Sequence, residues 1–282
     1  MVPTKRSSVC RGRSNGLRCV VTVLAVLSVS APAAFGVPSV NPARQLVVKI
    51  VAQIQRADYE GDRAALQRLY GELTPFVDDK ELASRVLYWR GFASWRRAIN
   101  GFNDSVDPKE LEQDLTDAGE EFKKAIAADP NFVDAKIAVS SCLSIRIGLT
   151  PNRLQELVTE ARPFVKDARA AEPDNPRLLW VLGPNLWNTP PERGGGQDKA
   201  IESYLKGLES VRKPKATAAD PLDPSWGEPE LLMSLGWSYL NRATPDLNAA
   251  ERNARAALQL VPYWHYVRDI LLPQIQKAQS KS

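Results

Sequence analysis

One spacing returns three times in this chain and constrains its fold more than any other feature. Ala118, Phe122, Ala125 and Pro130 are separated by three, two and four intervening residues, and the same intervals recur at Ala161, Val165, Ala168 and Pro173 and at Ala250, Ala254, Ala257 and Pro262. Residues three and four apart share a helix face, so each occurrence predicts a helix with a stripe of small side chains, stopped by a proline that cannot continue it. Small side chains let two helix backbones approach closely at a crossing. The stretch PRLLWVLGPNLWNTPPERGGGQDKAIESYLKGL, residues 176–208, carries such a pair whole. Leu178, Leu179, Leu182 and Leu186 recur at helical spacing before a glycine-rich turn, Ile201, Tyr204, Leu205 and Leu208 after it, and Ala200, Tyr204 and Gly207 repeat the signature without its proline.

The partner helices repeat too: Leu182 and Gly183 are echoed by Leu235 and Gly236, with Tyr239 beyond, and by Gly91 further upstream. This combination resembles the tetratricopeptide repeat family over most of the chain from Val40 to Gln276. The resemblance implies an all-α fold, a right-handed superhelical solenoid of antiparallel helix pairs that acts as a binding scaffold without chemistry of its own. The repeats are degenerate. The first two signature prolines stand 43 residues apart, against roughly 34 in the family, and Pro163 and Pro184 fall inside predicted helices, where they should kink or interrupt them. The segments NTPPERGGGQDKA, DPLDPSWGEPELLMSLGWSYL and VPYWHYVRDILLPQI also resemble a group of exported bacterial repeat proteins of unassigned role.

Residues 37–282 should therefore hold about four to five helix pairs. Asn41 and Pro42 start a first helix carrying Leu46, Val47, Ile50, Val51 and Ile54, and a second after Gly61 stops near Pro75. Leu82, Val86, Tyr88, Trp89, Phe92 and Trp95 mark a third around Gly91. Asp107 is an N-cap before Pro108, with Glu110 where a capping box places its acid. The alternating acids, central glycine and final glutamate of a calcium loop are missing from this turn. The insertions 100–107, 188–198 and 241–247 fall within pairs, whereas Lys213 to Glu228 joins two pairs as an irregular strap. A last helix around Tyr266, Ile270 and Leu271 should cap the exposed apolar end.

The first 36 residues stand apart: Lys5, Arg6, Arg11, Arg13 and Arg18 with no acid, then the apolar run CVVTVLAVLSVSAPAAFG. This predicts an export signal cleaved near residues 33–36, leaving a periplasmic or secreted chain with no membrane insertion. Without those five cations, 32 Lys and Arg face 33 acids. The net charge of about −1 argues against nucleic acid or anionic membrane as a partner. Of three cysteines only Cys142 remains, among small and apolar residues as in a buried inert thiol.

One histidine, His265, and one mature cysteine leave little for zinc sites or for triads that use histidine. Asp78 with Asp79, and Glu120 with Glu121, are sequence neighbours that point to different sides of a helix. No catalytic residue, metal or cofactor is assigned. The glycines Gly194, Gly195 and Gly196 beside Arg193 form an edge loop that reads either as an anion cradle at a helix start or as left-handed turn residues. If the first helix of each pair lines the concave face, as the resemblance implies, alignment on Gly91, Gly183 and Gly236 turns one set inward. The set is Arg85, Tyr88, Phe92 and Trp95; Arg177, Trp180 and Trp187; Met233 and Trp237. These aromatics either line a groove or fill the core; Trp89 and Trp264 belong to the core. A groove would suit an extended protein or peptide segment whose carboxylates meet Arg85 and Arg177. The expected function is a non-enzymatic, exported scaffold for a protein partner, the alternative a small-ligand-binding component of a transport system.

Overall fold

Asn41 starts the first helix by accepting from the backbone N–H groups of Ala43 and Arg44, and Pro42 takes the first helical position. The computed structural model describes residues 41–213 and 220–281, within a unit that runs from Val40 to Ser282. The expected export signal lies outside the described residues.

The described residues are helical with no strand, an all-α solenoid. Five pairs follow in order: α1 (Pro42–Glu60) with α2 (Arg63–Glu72), α3 (Ala83–Gly101) with α4 (Pro108–Ala128), α5 (Val133–Leu149) with α6 (Leu154–Ala171), α7 (Pro176–Asn188) with α8 (Gln197–Arg212), and α9 (Glu228–Asn241) with α10 (Leu247–Leu260). A π-helical turn, Tyr266–Leu271, leads into α11 (Leu272–Gln279), and Val267, Leu271 and Ile275 are buried there. First helices pack on first helices, α1 on α3, α3 on α5, α5 on α7 and α7 on α9, and the second helices flank them.

The recurrent signature has a repeated atomic meaning. In α4, α6 and α10 the carbonyl of its second small residue, Ala125, Ala168 or Ala257, accepts the N–H of the residue that ends the helix, each at 2.9 Å. The proline follows one residue later and prevents any further turn. The crossing glycines meet the signature of their own pair. A Cβ on Gly91 would come within 2.9 Å of the Phe122 ring, one on Gly183 would overlap the Tyr204 ring, and one on Gly236 would stand 3.2 Å from the Ala250 carbonyl.

One local expectation, the capping box at Glu110, needs correction. Neither Pro163 nor Pro184 ends its helix, since α6 and α7 run through them. Asp107 caps α4 by accepting from the Lys109 N–H. Glu110 closes no capping box, because its carboxylate is drawn to Arg63 and Arg97 at 2.7 and 2.6 Å.

The two ends of the repeat array meet. Tyr59, at the end of α1, stands edge-on to Trp264 at 5.0 Å between ring centres, and Arg56 lies over the Tyr263 ring at 4.8 Å.

Candidate functional site

α3 presents the densest row of aromatic side chains, and its fate decides where a partner can bind. Tyr88, Trp89, Phe92 and Trp95 are all essentially inaccessible. What covers them is the chain itself: the described end of the strap, from Asp220 to Gly227, runs against this row. Trp226 packs between Phe92, Trp95 and Trp180 at 5.9, 5.5 and 5.5 Å, and its indole N–H donates to the Tyr88 hydroxyl at 2.9 Å. Leu222 is buried beside it, and its carbonyl accepts the Trp89 indole N–H at 2.8 Å.

Polar side chains fasten this described end of the strap. Arg44 of α1 grips Asp220 with one nitrogen at 2.5 and 2.6 Å, and Gln55 donates to Ser225 at 2.9 Å. Arg85 lies over the Phe132 ring at 3.9 Å and donates to Asp223 at 2.8 Å and to Asp129 at 3.0 Å. Arg177 is buried, forks onto Asp134 at 2.6 and 2.9 Å and donates to the Trp226 carbonyl at 3.1 Å. The anchoring chemistry foreseen for a foreign peptide is thus satisfied internally. Tyr88, Phe92, Trp95 and Arg177 are corrected from groove lining to core, and Arg85 from a free anchor to a strap clamp. Trp180 is half-buried under Trp226 and donates to Ser234 at 2.9 Å. The sequence signal that could have revealed the strap's role is Leu222 and Trp226, two large apolar residues isolated in a polar, proline-rich connection.

Below the strap lies a buried polar knot. Asp58 accepts from Arg96 at 2.7 Å, Glu230 accepts from the Tyr59 hydroxyl at 2.9 Å and from the Gly227 N–H at 2.8 Å, and Arg96 stands 3.9 Å from Glu230. Burial pushes both carboxyls up despite the guanidinium that draws them down. Two acids share one cation here, and the knot ties α1, α3 and α9 together.

At the far end of the inward row the surface stays open. Trp187 and Trp237 stack edge-to-face at 5.1 Å, and Trp237 is 37% exposed. Met233, one turn before Trp237 on α9, is half-buried. Trp187 also borders a depression of about 540 Å³ walled by Pro190, Pro191, Gln197 and Arg242. Gly195 and Gly196 of the edge loop border it, and the loop's amides bond within the turn. Gly194 donates to Pro191, Gly195 to Pro190 and Gly196 to Leu186, at 2.9, 3.2 and 2.9 Å, and the Arg193 N–H donates to Pro190. Gly194 and Gly196 have φ of 83° and 112°. The anion-cradle reading is corrected: these glycines are turn residues, with their donors spent within the turn.

His265 pairs with Asp269 at 2.8 Å at the surface, and Cys142 is buried with its thiol pushed up by desolvation. Among the described residues no group of three metal-ligating side chains gathers, and no helix is long and apolar enough to cross a membrane.

No family model matches this chain, and no curated protein sequence matches it. Solved structures to which this chain is similar include the following two. The HusA haemophore from Porphyromonas gingivalis is 21% identical, with a TM-score of 0.54, over 72% of this chain and 96% of its own. A tetratricopeptide repeat protein from Thermus thermophilus is 18% identical, with a TM-score of 0.48, over 83% of this chain and 99% of its own.

Proposed function

We propose that this chain is an exported, non-enzymatic helical-repeat scaffold that binds a protein or peptide partner at the Trp187–Trp237 end of its inward row. The observation that carries this reading is the edge-to-face pair of exposed Trp237 and half-buried Trp187 beside a proline-walled depression. Large, stiff aromatics at a surface bury much area on contact at little rotamer cost. Export rests on the basic and apolar pattern of the first 36 residues. The absence of chemistry rests on an exposed, acid-paired histidine and a buried thiol. Crosslinking in the native cell envelope tests the partner, with Trp187→Ala/Trp237→Ala as the comparison. A protein crosslinked by the native chain should be lost from the double variant while helical content stays unchanged; equal recovery overturns the proposal. A mature N-terminus near residues 33–36 in the envelope fraction tests export.

A second reading, small-ligand carriage in a transport system, draws on a ligand-sized cleft between α5, α6 and α7. The similar haemophore structure is named for such a task.

A further inference from the structure

The cleft between α5, α6 and α7 measures about 630 Å³, within the usual range for small-molecule sites of roughly 300–1,000 Å³. It opens where the repeat departs from its neighbours. In α4 and α8 the middle signature position holds the rings of Phe122 and Tyr204, both buried. In α6 the same position is Val165, half-exposed, and it lines the cleft with Ala161, Val158 and Ile147. A missing ring thus leaves an apolar floor facing solvent.

Along one wall run Arg162, Lys166 and Arg169. Their spacing puts them on one face of α6 across about 10 Å. None of the three side chains has a hydrogen-bond or ion-pair partner among the described residues. Arg146 and Arg153, near the other end of the same helix pair, are both matched to Glu112, at 3.5 and 3.4 Å. Unspent positive charge is therefore concentrated on this wall, while Asn185, Asn188 and Thr189 supply hydrogen-bonding groups opposite it.

We propose that this cleft is a second binding site, for a small anionic amphiphile whose apolar body lies on Val158, Ala161, Val165 and Ile147 and whose carboxylate or phosphate meets Arg162, Lys166 and Arg169. Both halves of the ligand follow from the lining: apolar side chains reward a hydrocarbon body, and unpaired cations select an anionic head. Asn188 and Thr189 border both this cleft and the depression beside Trp187, but the apolar floor and the three cations belong to the cleft alone, so either site can fail without the other.

Calorimetric titration of the mature chain with laurate, dodecyl phosphate and the neutral control dodecanol tests the proposal, alongside co-sedimentation with phosphatidylglycerol vesicles. One laurate or dodecyl phosphate should bind per chain, more tightly than dodecanol. Binding should weaken about tenfold in Arg162→Gln/Lys166→Gln/Arg169→Gln, which breaks no hydrogen bond or ion pair among the described residues. Val165→Tyr, which restores the ring found in α8, should abolish it. Capture through Trp187 and Trp237 should persist in both variants. Laurate binding without co-sedimentation assigns a free amphiphile as the source, and both together assign a lipid-borne anion at the same site. Equal affinity for dodecanol, an unaffected triple variant, or no binding of either anion overturns the proposal.

Discussion

The indole N–H of Trp226 donates to the hydroxyl of Tyr88 at 2.9 Å across 138 residues of chain, and both rings are buried. This bond fixes the strap against α3 and turns the inward face of the repeats into core. Trp226→Ala should cost about 3–5 kcal/mol through the cavity it leaves and orphan the Tyr88 hydroxyl besides. Urea unfolding followed by circular dichroism measures it, and a loss below about 1 kcal/mol would mean that the strap does not seal the row.

The Asp58–Arg96–Glu230 knot makes stability depend on pH in a definite direction. Both carboxyls are raised when folded, so the native state holds their protons more tightly than the unfolded chain does. Their contribution is complete below the unfolded values, about 4, and is lost as pH rises through the folded values. Glu230→Gln, whose amide oxygen can keep the Gly227 N–H while its NH2 donates to the Tyr59 hydroxyl, should flatten that decline and match or exceed the native chain in stability at neutral pH. A steeper decline in the variant would contradict the assignment.

Arg96→Met strands two buried acids without their cation and should cost about 3–5 kcal/mol. The loss should be partly recovered as pH falls, because the carboxyls, already raised by burial and now without the guanidinium that draws them down, take up protons, and thermal unfolding across pH reads the recovery.

The glycines separate packing from propensity. Gly183→Ala drives a methyl into the Tyr204 ring and should cost about 1–3 kcal/mol. Gly119→Ala, inside α4 with nothing within 4 Å of the added carbon, should gain about 0.5–1 kcal/mol. Chemical denaturation of the two single variants should move the midpoint in opposite directions.

Cys142, buried in α5 with a raised thiol pKa, should resist a maleimide at neutral pH and react once urea unfolds the chain. Prompt labelling of the folded protein would mean that α5 opens locally.

Helices, caps and repeat ends were legible in the sequence, because each is set by local chemistry. The 3.6-residue period marks an apolar face, Asn41 and Asp107 satisfy free amides at helix starts, and Pro130, Pro173 and Pro262 stop the helices that precede them. Tyr88, Phe92, Trp95 and Trp180 share one side, where they meet Trp226. Only the tertiary structure decided what lies against that side. Periodicity shows which face seeks cover and carries no information on what supplies it. Here the cover comes from Leu222 and Trp226, and from the closure of α1 onto α9 and the C-terminal aromatics through Tyr59, Glu230 and Trp264. These contacts join residues far apart in sequence, and of the inward row they leave Trp237 exposed, with Trp187 and Met233 half-buried beside it.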